Sequence, residues 1–137
     1  MRKLLLILSL LLAFSACGRK EAPQPVVEDM GPPEIVALSH QQNGNIISLD
    51  FTLQGGKGGI GYQIERAEMD PYCKCPGMWR MYFEQPTLAS QQGKAMSHLL
   101  PLKKIDVEFA FRIRAVDAIG RLSPWSETIT GIYRKPE

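Results

Sequence analysis

The sequence predicts an all-β protein built as an antiparallel β-sandwich, and three observations carry that expectation. Apolar residues recur with a period of two, as in Ile47, Leu49, Phe51 and Leu53, which alternate with Ser48, Asp50 and Thr52. Turn formers punctuate the alternating runs at Asn43-Gly44, Gly55 to Gly61, Asp70-Pro71, Gln92-Gly93 and Ile119-Gly120. Beyond the first residues no window carries the 3.6-residue apolar stripe of a helix. Alternation places successive side chains on opposite faces of a strand, so one face can be buried and the other wet. Several such strands over about 100 residues pack as two sheets face to face.

The elements follow in chain order. Arg2 and Lys3 form a short cationic patch, and an apolar run from Leu4 to Phe14 is interrupted only by Ser9. Ser15-Ala16 then present small side chains before Cys17. A basic start, a short apolar stretch and a small-residue cleavage site describe a secretory signal over residues 1–16. The run is shorter than the roughly 20 apolar residues that cross a hydrocarbon core.

The segment Leu12-Ala13-Phe14-Ser15-Ala16-Cys17 resembles the lipobox of bacterial lipoproteins, with Phe14 where the family usually has Leu, Val or Ile. The resemblance implies that Cys17 becomes the first residue and carries a diacylglycerol and an acyl chain such as palmitate. Two or more acyl chains anchor a protein stably, whereas one gives marginal binding. Gly18 after the cysteine implies, by the family's sorting rule, the periplasmic side of the outer membrane.

Residues 17–33 read as a tether. Pro23, Pro25, Pro32 and Pro33 fall among Lys20, Glu21, Glu28 and Asp29, with few apolar side chains to offset ordering entropy. At about 3.1 Å per residue, such a stretch reaches up to about 50 Å. Its opening Cys17-Gly18-Arg19-Lys20 resembles small lipoproteins of lipopolysaccharide assembly, although Glu21 stands where those usually carry glycine. That likeness implies an alternative role as an accessory of outer-membrane assembly acting through the lipidated N-terminus.

The folded domain is expected over residues 34–134. Ile60, Tyr62 and Ile64 alternate with Gly61, Gln63 and Glu65; Val107, Phe109, Phe111, Ile113 and Ala115 alternate with Glu108, Ala110, Arg112 and Arg114. The run from Phe109 to Gly120 resembles strand F of a fibronectin type III domain. Ser123-Pro124-Trp125-Ser126-Glu127 resembles the start of its strand G, Gly61 to Arg66 its strand C, and Ile47 to Leu53 its strand B. Phe51 takes the place of the family's core tryptophan. Phe109 takes that of its corner tyrosine, so a hydroxyl bond worth about 1 kcal/mol is absent. The resemblance implies an immunoglobulin-like, fibronectin type III-like sandwich.

Charge narrows the partners. The full chain carries 16 Lys and Arg against 14 Asp and Glu; without Arg2 and Lys3 the two are equal at 14. A near-neutral mature chain lacks the clustered basic face that nucleic acid demands. The expected partners are therefore the membrane, through the lipid anchor, and a protein or cell-envelope component, with no nucleic acid.

Several side chains are candidate sites. With Cys17 lipidated, Cys73 and Cys75 are the two remaining thiols, and an oxidising compartment favours a disulfide between them. It would pin Trp79 to Phe83 as the next strand. Copper(I) binding with Met69, Met78 and Met81, redox exchange, or an intermolecular bridge are the alternatives. Trp125 with Arg112 and Arg114 forms a candidate stacked patch, either a brace or a ligand surface. Gly55 to Gly59 lacks the spacing of a phosphate loop and reads as a flexible connection. His40 and His98 read as solvated loop or strand-face groups near no carboxylate cluster, and no nucleophile elbow or paired-histidine motif appears. No enzymatic activity, metal or cofactor is expected.

Overall fold

The computed structural model describes residues 28–135. The expected signal, the Cys17 lipidation site and most of the tether lie outside these residues. Seven strands follow one another: β1 (Glu34–Asn43), β2 (Ile46–Gln54), β3 (Ile60–Glu68), β4 (Arg80–Leu88), β5 (Ala95–Pro101), β6 (Glu108–Asp117) and β7 (Ile129–Ile132). A single 3-10 turn, Ala89–Gln91, joins β4 to β5.

The strands form two antiparallel sheets, ordered β1-β2-β5 and β4-β3-β6-β7. This three-plus-four arrangement is the immunoglobulin-like, fibronectin type III-like sandwich. Alternation explains why. On β2, Ile47, Leu49, Phe51 and Leu53 are buried while Asp50 and Gln54 are exposed. On β3 and β6, Ile60, Tyr62, Ile64, Phe109, Phe111, Ile113 and Ala115 turn inward to meet them. Full burial of one such aliphatic or aromatic side chain contributes about 1.5–3 kcal/mol, so each sheet face is held by its neighbour. Phe51 fills its tryptophan-like place by meeting Tyr62 edge to face, with centroids 4.9 Å apart. Phe109 is buried beneath the Arg66 guanidinium, 5.0 Å from its ring centre.

Four expectations need correction. The ordered unit begins before residue 34, because Met30 N donates to Gly56 O and Gly56 N to Gly31 O. The glycine-rich segment is correspondingly pinned rather than free. At Gly55, with φ +75, an added Cβ would overlap the Pro32 carbonyl, so only glycine permits this approach. Finally, regular strand pairing in the last element begins at Ile129 and not at Ser123. The strand expected from Trp79 to Phe83 is longer, running from Arg80 to Leu88.

Candidate functional site

The outward faces of β3 and β6 build an aromatic–cationic surface. Their register pairs Glu65 with Arg112 and Gln63 with Arg114, so the strand period alone brings these polar side chains together. Arg112 donates to Glu65 Oε2 through Nε at 2.8 Å and Nη2 at 2.6 Å. Arg114 Nε donates to Gln63 Oε1 at 2.9 Å, and Gln63 Nε2 to Glu84 Oε1 at 2.8 Å.

Trp125 reaches this surface because two serines replace regular pairing. Ser123 N donates to Ala115 O, and Ser126 N to Ile113 O. The β6 amides of Ala115 and Ile113 donate in turn to Ser123 Oγ and Ser126 Oγ at 2.8 and 3.1 Å. The serine hydroxyl oxygens thus accept where a backbone carbonyl of a regular strand otherwise would. Between them Trp125 lies over both arginines, with the guanidinium carbons of Arg112 and Arg114 at 4.5 and 4.2 Å from its ring.

Trp79, just before β4, also meets Arg112, whose guanidinium carbon lies 4.3 Å from its ring. The result is a ladder, Trp79–Arg112–Trp125–Arg114, in which each cation–π contact contributes about 0.5–1 kcal/mol. The three residues expected from the sequence come together. Trp79 escaped that reading because its place depends on β4, β3 and β6 lying side by side.

The second expected pair, Cys73 and Cys75, lies at disulfide distance with Cα atoms 5.2 Å apart. The β3–β4 hairpin continues past Glu68 through Gly77 N to Glu68 O and Asp70 N to Cys75 O, leaving residues 70–75 as its tip. Asp70 Oδ1 organises that tip by accepting from the amides of Tyr72 and Cys73 at 2.8 and 3.1 Å. Both cysteines are exposed, and Tyr72 is 95% exposed.

An ionic cluster at the opposite end of β3 has no counterpart in the sequence reading. Asp117 closes β6 with its carboxylate buried. It accepts from the amides of Lys57, Ile119 and Arg121, and from Arg121 Nε at 2.6 Å. Arg121 Nη2 also donates to Asp29 Oδ1 at 2.8 Å and to Gly31 O at 3.1 Å. Burial pushes the Asp117 carboxyl up, but the bonds from Arg121 and Lys57 outweigh it, and its pKa lies below the ordinary value. The Arg121 side chain and the Gly31 amide hold Asp29 low as well. Bonds to Asp29 and Asp117 raise Arg121. An aspartate ending an apolar strand beside a glycine-rich loop is the signal that marks such a clasp.

Of the two places expected for His98, a solvated loop or a strand face, the structure gives the strand face, on β5. It is half-buried between the sheets, where Nδ1 lies 3.0 Å from Tyr62 Oη and its ring 4.3 Å from that of Phe83. Burial lowers the His98 pKa and raises that of Tyr62. Among the described residues, no group of three or more His, Cys, Asp or Glu is placed to hold a metal ion. No helix among them is long and apolar enough to cross a membrane.

No family model and no curated protein matches the chain. A solved structure described as "Myokine structure" is similar at 18% identity, covering 77% of this chain and 100% of its own, with a TM-score of 0.49.

Proposed function

We propose that the chain is a lipoprotein of the cell envelope, anchored through Cys17, whose sandwich is a binding and scaffolding module for a protein or cell-envelope partner. The observation that carries the reading is the Trp79–Arg112–Trp125–Arg114 ladder. Tryptophan and arginine are the side chains most enriched at interface hot spots, because they bring large contact area and directional donors. Here both arginines are already fixed by Glu65 and Gln63, so little rotamer freedom remains to be lost on association. The lipid anchor keeps this surface beside the bilayer, and the chain between Cys17 and Glu28 sets its reach.

The test is site-specific crosslinking in cells. A photoreactive residue at Glu84 or Glu127, beside the ladder, is compared with one at Gln41 on β1, using the full lipidated chain. A discrete crosslinked partner from the ladder side, lost in Trp79→Ala and Trp125→Ala variants that still fold, supports the reading. Equal crosslinking from Gln41, or retention of the partner by a lipidated peptide ending at Pro33, overturns it. Radiolabelled palmitate that enters the wild type and not Cys17→Ser tests the anchor separately.

A further inference from the structure

We propose that the Cys73–Cys75 pair is a thiol–disulfide exchange site that takes the dithiol of a partner protein. Its place in the fold argues against a stabilising bridge. A disulfide stabilises chiefly by closing a long loop in the unfolded chain, and the gain falls as the loop shortens. Here one residue separates the cysteines, within a hairpin tip already held by backbone bonds and by Asp70.

The same geometry favours reaction. Both cysteines are exposed, so a thiolate can approach either sulfur in line with the bond it breaks. Lys74, between them, is held at φ +55, a region that residues other than glycine rarely adopt. Opening the ring releases that restraint, and strained, exposed disulfides are the readily reduced ones. The Lys74 side chain is 69% exposed and its ammonium lies 3.8 Å from Glu108, so it does not cover the bridge. The Asp70 carboxylate bonds to Tyr72 and Cys73 do not involve sulfur, so the base of the tip stays anchored while Lys74 relaxes when the bridge opens.

The step balances. One partner thiolate attacks the Sγ of Cys73 or Cys75, the intramolecular S–S bond breaks, a mixed disulfide forms, and the other cysteine leaves as a thiolate. The partner's second thiolate then attacks its own mixed-disulfide sulfur and releases the second cysteine. Two electrons and two protons pass to the pair, and the partner dithiol becomes a disulfide. The reverse reaction with a partner disulfide restores the bridge.

The test uses the full chain in buffers of graded reduced and oxidised glutathione, quenched with an alkylating reagent and read by mass. A second protein, whose disulfide closes a loop of tens of residues, is present in the same tube as a reference. Half-reduction is expected at a glutathione ratio at least 100-fold less reducing than the reference needs. Lys74→Gly, which removes the φ restraint, is expected to move the midpoint about tenfold toward the reference. Cys73→Ser and Cys75→Ser variants are expected to trap a glutathione adduct at the surviving thiol. The urea midpoint is expected to be the same with the bridge closed or open. A midpoint equal to the reference, an unmoved Lys74→Gly, or a large loss of stability on reduction each overturns the proposal. None of these readouts requires the lipid anchor or the ladder to act as proposed above.

Discussion

Asp117→Ala removes the acceptor that joins the glycine-rich loop to the β6–β7 connection and that, through Arg121, holds the chain entry at Asp29 to Gly31. The carboxylate accepts four hydrogen bonds, three from amides and one from Arg121 Nε. A net bond contributes about 1 kcal/mol, but removing one partner of several buried donors exposes their desolvation cost as well. Water reaches the outer donors once the carboxylate is gone, so the expected loss is about 3 kcal/mol, and about half that for Asp117→Asn, which keeps one oxygen. Urea denaturation of the full chain at pH 7 measures it, with an unchanged m-value because the same surface is exposed on unfolding. Acid adds a second readout. Because the folded pKa lies below the ordinary 3.8, the unfolded chain takes up the proton first as pH falls. The contribution is complete above that ordinary value and disappears as pH drops through the depressed one. The wild type should therefore weaken in this window more steeply than Asp117→Asn. A loss below about 0.5 kcal/mol for Asp117→Ala, together with superimposable acid limbs, would refute the clasp.

Further outcomes follow from other contacts. Arg112→Lys keeps the charge but loses the planar fork to Glu65 and the guanidinium contacts with two indoles, so stability should fall by about 1–2 kcal/mol and tryptophan fluorescence should shift. Gly55→Ala combines a strained φ with overlap at the Pro32 carbonyl and should lower stability by at least about 1 kcal/mol, read as a drop in Tm. Burial holds the His98 pKa below its ordinary 6.5, so the neutral ring is the form that the fold prefers. The contribution is whole above 6.5 and declines as pH falls toward the lowered value; His98→Phe should flatten this slope in urea titrations across pH 5–7.

The strands with strict alternation were legible in the sequence, β4 was legible in part, and β1 and β5 were not. β2, β3 and β6 each present one unbroken inward stripe, and their turns carry glycine or asparagine. In β1 a bulge between Val36 and Ser39, with Ala37 at φ +53, breaks the period and hides the strand. β5 reads weakly because its inward positions include His98, whose burial depends on Tyr62 and Phe83 in the other sheet. The site divides along the same line. Arg112, Arg114 and Trp125 belong to neighbouring segments joined by a short connection, so local spacing suffices to pair them. Trp79 and the Asp29–Arg121–Asp117 cluster are assembled by contacts between segments far apart in the chain, up to 92 residues for Asp29 and Arg121, which periodicity cannot encode.

The clasp and the hairpin tip stand at opposite ends of β3, which at about 3.3 Å per residue separates them by about 30 Å. Tension between the chain entry and anything gripping the tip therefore runs along the strand axes. In that direction the β3–β6 ladder, from Ile60 opposite Asp117 to Glu68 opposite Phe109, is sheared with all its rungs sharing the load. At the entry the opposite holds: Asp29 and Met30 peel away one bond at a time. Forced opening is governed by the rate of the weakest step. Pulling should thus release residues 28–33 long before the sandwich itself yields.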